Sequence, residues 1–332
     1  MTITSTSRDL VTGGAGFIGS HLVEHLLSLG REVWVVDDLS TGRESNLDAA
    51  RAVAPDRVNF IASDLSDWLH GEGASSSFGH VYHLAAAVGV KLVVDDPIGT
   101  IETNIHQTSA VMRFVQRSST PLLMASTSEV YGKGVRDRFA EDDDLLLGPT
   151  TRSRWSYACS KAIDEYLALA HHQQSGTPIS IARFFNTVGP RQVGDYGMVL
   201  PRFVEKALAG DPIEVFGDGE QSRCFCDVRD VVKVLPRMLQ SEDCPGTVMN
   251  IGNDQSISIN ELASRVLEVL GSNSPIVHVP YEQAYSPGFE DLRCRIPDLS
   301  RIRSILDFQP TISLAQTIRD LAHEHQRVGG AG

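Results

Sequence analysis

The segment Gly13-Gly14-Ala15-Gly16-Phe17-Ile18-Gly19 constrains this chain more than any other. It directly follows a short apolar run, Leu10-Val11-Thr12. It directly precedes a stretch with helical spacing, Leu22, Val23, Leu26 and Leu27 on one face, which Gly30 ends. Glycines between a strand and a helix permit a tight turn and let helix N-terminal amides approach a phosphate. A glycine pattern alone is weak evidence; strand before and helix after strengthen it, and a third feature agrees. The next β-branched run, Glu32 to Val36, ends in Asp37, 18 positions past Gly19. A carboxylate there can accept from the ribose hydroxyls of an adenine dinucleotide and would repel a 2′-phosphate. The pattern therefore predicts NAD rather than NADP, with Gly13, Gly16, Phe17, Ile18, Gly19 and Asp37 at the cofactor. One departure stands out: Arg8-Asp9 occupies the place where such a first strand usually begins with apolar residues, so the strand starts late or has an exposed end.

Strand and helix patterns alternate from here. Arg57 to Ala62 and His80 to Leu84 read as strands, Ile101 to Gln116 as a long helix and Pro121 to Ala125 as a fifth strand. Ser156 to His172 reads as a second long helix and Ile179 to Phe184 as another strand. This order predicts an α/β chain, a Rossmann-type doubly wound parallel sheet covered on both faces. After Val188 the pattern changes. Short helices at Leu200 to Leu208, Val231 to Leu239 and Ile259 to Leu270 alternate with strands at Ser222 to Asp227 and Thr247 to Ile251. The expectation is an NAD-binding domain over 1–188 and, over 189–332, mainly a smaller α+β substrate-binding lobe from which the chain can return to the first sheet.

Asp64 follows the third strand, where an acid can either meet the adenine edge or cap a turn. Leu84 and Ala85 follow the fourth; small residues there let a cofactor pass over the carboxyl edge of the sheet, while His83 reads as packing.

Composition narrows the partners. A formal net charge of −13 over 332 residues disfavours nucleic acid and anionic membranes. No apolar run is long enough to span a bilayer, and Met1 to Asp9 lacks the pattern of a secretory signal. Five cysteines, an odd and low count, fit a reducing cytoplasm better than a disulfide framework. Cys224-x-Cys226 has no second pair at zinc spacing, so no metal is expected.

Tyr157-Ala158-Cys159-Ser160-Lys161 places tyrosine and lysine one helical turn apart. The lysine charge should lower the phenol pKa, so that the tyrosine takes a proton from a substrate hydroxyl while hydride leaves the adjacent carbon. Ser126-Thr127-Ser128-Glu129-Val130-Tyr131-Gly132 ends the fifth strand, at the edge where open α/β sheets bind ligands. Thr127 can relay a hydrogen bond beside the tyrosine, and Ser128 and Glu129 are further candidates.

With these residues in view, the chain from about Leu10 to about Asp320 resembles the extended short-chain dehydrogenase/reductases, the nucleotide-sugar epimerases, dehydratases and decarboxylases. The segments Arg183 to Arg191, Gly217-Asp218-Gly219 with Arg223, and Arg295-Ile296-Pro297-Asp298 add to the resemblance. It implies retained NAD, transient oxidation of the sugar C4, and Asn186, Arg223 and Arg295 at the substrate. Related 4,6-dehydratases carry Thr-Asp-Glu where this chain has Thr127-Ser128-Glu129, which counts against dehydration. The pattern, with Arg154-Trp155-Ser156 before Tyr157, looks most like the UDP-glucuronate decarboxylases; a UDP-sugar 4-epimerase is the alternative. The resemblance also implies a homodimer through Ile101 to Gln116 and Ser156 to His172.

Overall fold

The computed structural model describes residues 7–87, 96–134, 136–194, 198–284 and 293–329. Six parallel strands form the body of one sheet: β1 (Arg8–Thr12), β2 (Glu32–Asp37), β3 (Val58–Ala62), β4 (His80–His83), β5 (Leu122–Thr127) and β6 (Ile179–Phe184). The spatial order is β3-β2-β1-β4-β5-β6, and the strand Val248–Ile251 adds in parallel beyond β6. The chain thus moves outward from β1 to β3, then crosses back to β4 on the other side of β1. This reversal opens a crevice at the carboxyl ends of β1 and β4, where ligands of doubly wound sheets bind.

Two apolar layers hold the sheet. Leu22, Val23, Leu26 and Leu27 of helix α1 (Phe17–Ser28) pack with Val231, Leu235 and Met238 on one face. Leu65, Trp68, Val111, Val115 and Ala168 cover the other. Helix α1 starts at Phe17, three residues before the start expected at Ser20, because the glycine turn is complete at Gly16.

The strand β1 starts at Arg8, so the start is not late; Arg8 at its end has a side chain 41% exposed, while Asp9 is fully buried. Arg31 explains this: its Nε donates to Asp9 Oδ2 at 2.6 Å and His80 Nδ1 lies 3.1 Å from Oδ1. A buried charge is tolerated where it is paired and hydrogen-bonded.

The smaller lobe has its own core, with Leu200, Phe203, Val215, Phe225, Leu262 and Ile318 buried. The strand expected over Ser222 to Asp227 is two strands. Ser222–Cys224 pairs with Ser256–Ser258 and Cys294–Arg295, whereas Cys226–Asp227 pairs with Thr187–Val188. Phe225 stands at the break. Cys224 and Cys226 are both buried, and neither is in a disulfide.

Candidate active site

The glycine turn sits against the sheet edge. Gly13 has φ of 68°, and a Cβ there would stand 2.8 Å from the Ala85 amide nitrogen. A Cβ on Gly19 would overlap the Gly13 carbonyl. Gly16 heads α1 without any side-chain cap, so the first-turn amides face the crevice without a covering side chain. Asp37 Oδ2 accepts from the Ala15 amide and Oδ1 from the Leu39 amide, each at 2.9 Å. Burial pushes the Asp37 carboxyl upward, and these amide bonds oppose it. The carboxylate therefore clamps the turn that forms the cradle, with lone pairs left for ribose hydroxyls. A cradle closed to any Cβ, uncapped amides and an acid at the second strand end together fit NAD.

One cleft of about 1180 Å³ gathers almost every residue singled out from the sequence. Gly13, Gly16, Phe17, Ile18, Gly19, Asp37, Leu84 and Ala85 line its cofactor half. Thr127, Ser128, Glu129, Tyr157, Lys161, Asn186, Arg223 and Arg295 line the other. Asp64 is absent from this lining. Its Oδ1 accepts from the Asp67 amide at 3.0 Å as the N-cap of helix Leu65–His70, and Gln107 Nε2 approaches Oδ2 at 3.4 Å. Of its two readings the structure shows the cap; its neighbours Ser63 and Leu65 are the ones that line the cleft.

Helix Trp155–Ser175 carries Tyr157 and Lys161 into the cleft. The Thr127 hydroxyl hydrogen-bonds the phenol. Lys161 Nζ donates to Asp164 Oδ2 at 2.9 Å, and both side chains are buried. The expected lowering of the phenol pKa is not what this arrangement gives. Burial, then the Glu129 and Asp164 carboxylates, push Tyr157 above its ordinary value, against the hydrogen bond from Thr127. The physical reason is burial first, to which two carboxylates near the phenol add, one of them Asp164, which is paired with the Lys161 ammonium.

Glu129 is held by arginines. Arg295 Nη1 donates to its Oε1 at 2.6 Å and Arg154 Nη2 to its Oε2 at 3.4 Å. Burial works to raise the Glu129 pKa, but Arg295, Arg154 and Arg223 outweigh it and hold the carboxyl below its usual range. Glu129 is therefore an ionised acceptor that fixes guanidinium groups, and it holds no proton to give near neutrality.

The structure also places residues that the sequence reading passed over. Asp164, three positions after Lys161, carried only the signal of helical spacing. The spacing of Arg154, three before Tyr157, marked a resemblance and not a contact. Asn186 Nδ2 donates to the Cys224 carbonyl at 3.1 Å, which ties β6 to the smaller lobe. His83 is packed rather than reactive: burial first, then the charge of Lys161, push it down to about 3, and its ring nitrogens meet Thr12 Oγ1 at 2.8 Å and Thr108 Oγ1 at 3.4 Å.

The model of the NAD dependent epimerase/dehydratase family matches residues 10–252. The chain belongs to this family. It is an NAD-dependent enzyme of the extended short-chain dehydrogenase/reductase type, within the group that modifies nucleotide sugars. A Bacillus cytotoxicus relative, named UDP-N-acetyl-alpha-D-glucosaminuronate decarboxylase, is 39% identical over 94% of this chain and 96% of its own length. An Arabidopsis thaliana relative, UDP-glucuronic acid decarboxylase 6, is 35% identical over 94% of this chain and 87% of its own. Among solved structures, the Thermus thermophilus UDP-glucose 4-epimerase complex with NAD superposes with a TM-score of 0.81 at 29% identity, covering 96% of this chain and 99% of that one. Among the described residues no helix is long and apolar enough to cross a membrane.

Proposed function

We propose that this family member is a decarboxylase of a UDP-linked hexuronate, with UDP-glucuronate as its substrate. The observation that carries the reading is the cluster of Arg295, Arg154 and Arg223 around Glu129 in the same cleft as Tyr157. On a chain of net charge −13, guanidinium groups gathered in one cleft suit an anionic substrate, Arg295 and Arg154 at its reacting end and Arg223 toward its diphosphate. The names of the two decarboxylase relatives both support decarboxylation of a UDP-linked uronate, the first naming the N-acetylglucosaminuronate and the second the glucuronate.

The chemistry follows from the side chains. Bound NAD would supply a hydride acceptor at the sugar C4 and a positive ring charge beside the phenol. Tyr157 takes the proton of the C4 hydroxyl, the positive charge that bound NAD would bring offsetting the burial and carboxylates that raise the phenol pKa, and the Thr127 hydroxyl bonds the phenol. Oxidation at C4 makes the hexuronate a β-keto acid, which loses carbon dioxide once its carboxylate is oriented and the resulting enolate is stabilised. Arg295, fixed by Glu129, orients the carboxylate, and Tyr157 returns the proton. A phenol held above its ordinary pKa is suited to that return. Asn186 and Arg223 bind the diphosphate side of the substrate. Ser128, standing where dehydratases have an acid, offers no proton donor for loss of a hydroxyl.

A 4-epimerase of a UDP-hexose or UDP-hexuronate is the second reading, favoured by the likeness to the Thermus epimerase. Incubation with NAD and UDP-glucuronate, followed by NMR, separates the two. The decarboxylase releases carbon dioxide and gives a UDP-pentose or its 4-keto form; conversion to UDP-galacturonate alone overturns the proposal. Running UDP-N-acetylglucosaminuronate in parallel decides between the two uronates.

A further inference from the structure

The catalytic helix buries a carboxylate that the reaction above does not use. Asp164 is fully buried, three residues past Lys161, with its Oδ2 at 2.9 Å from the lysine Nζ. Lys161 is itself only 3% exposed along its side chain, so solvent screens the pair weakly. The Thr108 hydroxyl, from helix Pro97–Gln116, lies near enough to Asp164 to favour its charged form, and the same residue meets the neutral ring of His83; Asp164 Oδ1 is buried without a hydrogen-bond partner among the described residues. The result is a buried chain from β4 through Thr108 to Asp164 and Lys161.

We propose that Asp164 is a positioning residue of the reaction: its carboxylate fixes the Lys161 ammonium and offsets the positive charge that Lys161 presents to the Tyr157 phenol. This rests on reading Tyr157 and Lys161 as the reacting pair.

A lysine one turn from a tyrosine favours the phenolate only to the extent that its charge stands alone. Here a carboxylate sits against that charge inside the protein, where each charge acts strongly on its neighbours. The other charged and titratable groups facing the cluster are accounted for. Glu129 lies toward the phenol, but its charge is met by Arg154 and Arg295, with Arg223 nearby. His83 is neutral. Glu165, on the same helix, is bound by Arg183 of β6 at 2.6 and 2.9 Å. Asp164 is thus the group set directly on the lysine. The Tyr157 phenol is raised first by burial, then by Glu129 and then by Asp164, so Asp164 acts on it in the proposed direction.

The test titrates the phenol directly and needs no substrate. Tyrosinate absorbance is followed against pH in the NAD-loaded enzyme, with the Tyr157→Phe variant subtracted to isolate Tyr157. In Asp164→Asn the phenol should ionise about one pH unit or more below wild type, since an uncompensated charge this close shifts a pKa by about 1–3 units. An unchanged titration overturns the proposal. A second variant, Lys161→Met with Asp164→Leu, removes both charges and replaces a buried pair by apolar side chains, a change that folds often tolerate. There the phenol should ionise near the wild-type pH, because the two charges already cancel. A rise of about a unit or more in this double variant shows that Lys161 acted alone and also overturns the proposal. Turnover of UDP-glucuronate by the wild-type enzyme is scored separately, so a wrong substrate leaves the titration readable.

Discussion

Buried polar residues set the character of this protein at the scale of single side chains. His21 and His83 are both held neutral. Burial, then the charge of Arg191, push His21 down to about 4, and burial with Lys161 pushes His83 to about 3. In the unfolded chain both return to the ordinary histidine value near 6.5. Between those values the unfolded state binds more protons, so stability falls as pH drops from about 6.5 toward about 4, by up to about 1.4 kcal/mol per pH unit for each histidine. The thermal midpoint should therefore fall steadily between about pH 7 and about pH 5, before the carboxylates titrate; a midpoint that stays level contradicts this assignment. Much of the site was legible at this scale. The glycines, Asp37, Tyr157 and Lys161 were picked out by residue type plus spacing, and the structure brings them to one cleft. Asp164 and Arg154 were not legible, because their meaning lies in what they touch, and for the same reason Asp64 stood open between the adenine edge and a cap. A carboxylate on a helix reads the same whether it faces water or a buried lysine.

The strands and helices divide in a similar way. The six strands of the sheet follow from local signals, β-branched runs and turns, and each is found within a few residues of its expected place. The pairing partners are another matter. Val248–Ile251 lies beyond β6, and its place is secured by Asn250, which accepts from the Tyr131 hydroxyl at 2.7 Å and donates to the Phe139 carbonyl at 2.8 Å. Nothing within the strand itself specifies those contacts. The break at Phe225 is of the same kind: an alternating run reads as one strand, yet Cys224 and Cys226 pair in different directions around an aromatic anchored in the smaller core. The helices Pro97–Gln116 and Trp155–Ser175 pack together on the sheet and leave Ile98, Ile163 and Tyr166 exposed, Ile98 and Tyr166 by 69% and 71%. We propose that this face closes a homodimer, as exposed apolar patches on paired helices often do. Light scattering at micromolar concentration should return twice the chain mass of 36.2 kDa, and a monomeric mass refutes it.

The whole molecule is organised around one cleft between a sheet edge and a smaller lobe. The sheet supplies a cradle at the β1–β4 reversal; the smaller lobe supplies Arg223 and Arg295; and Glu129, at the end of β5, joins the two by holding Arg295. Against the acidic background, the local arginine cluster is where we propose that the anionic substrate binds. The reacting tyrosine stands between these halves, so the account requires oxidation of the sugar and loss of carbon dioxide to depend on the same hydroxyl. Rapid mixing of the NAD-loaded enzyme with UDP-glucuronate, while NADH absorbance and carbon dioxide release are recorded together, tests this most directly. Wild type should show NADH rising no later than carbon dioxide, and Tyr157→Phe should lose both signals together by at least about a hundredfold. Carbon dioxide released at an undiminished rate by Tyr157→Phe, or without any NADH signal in wild type, would contradict the account.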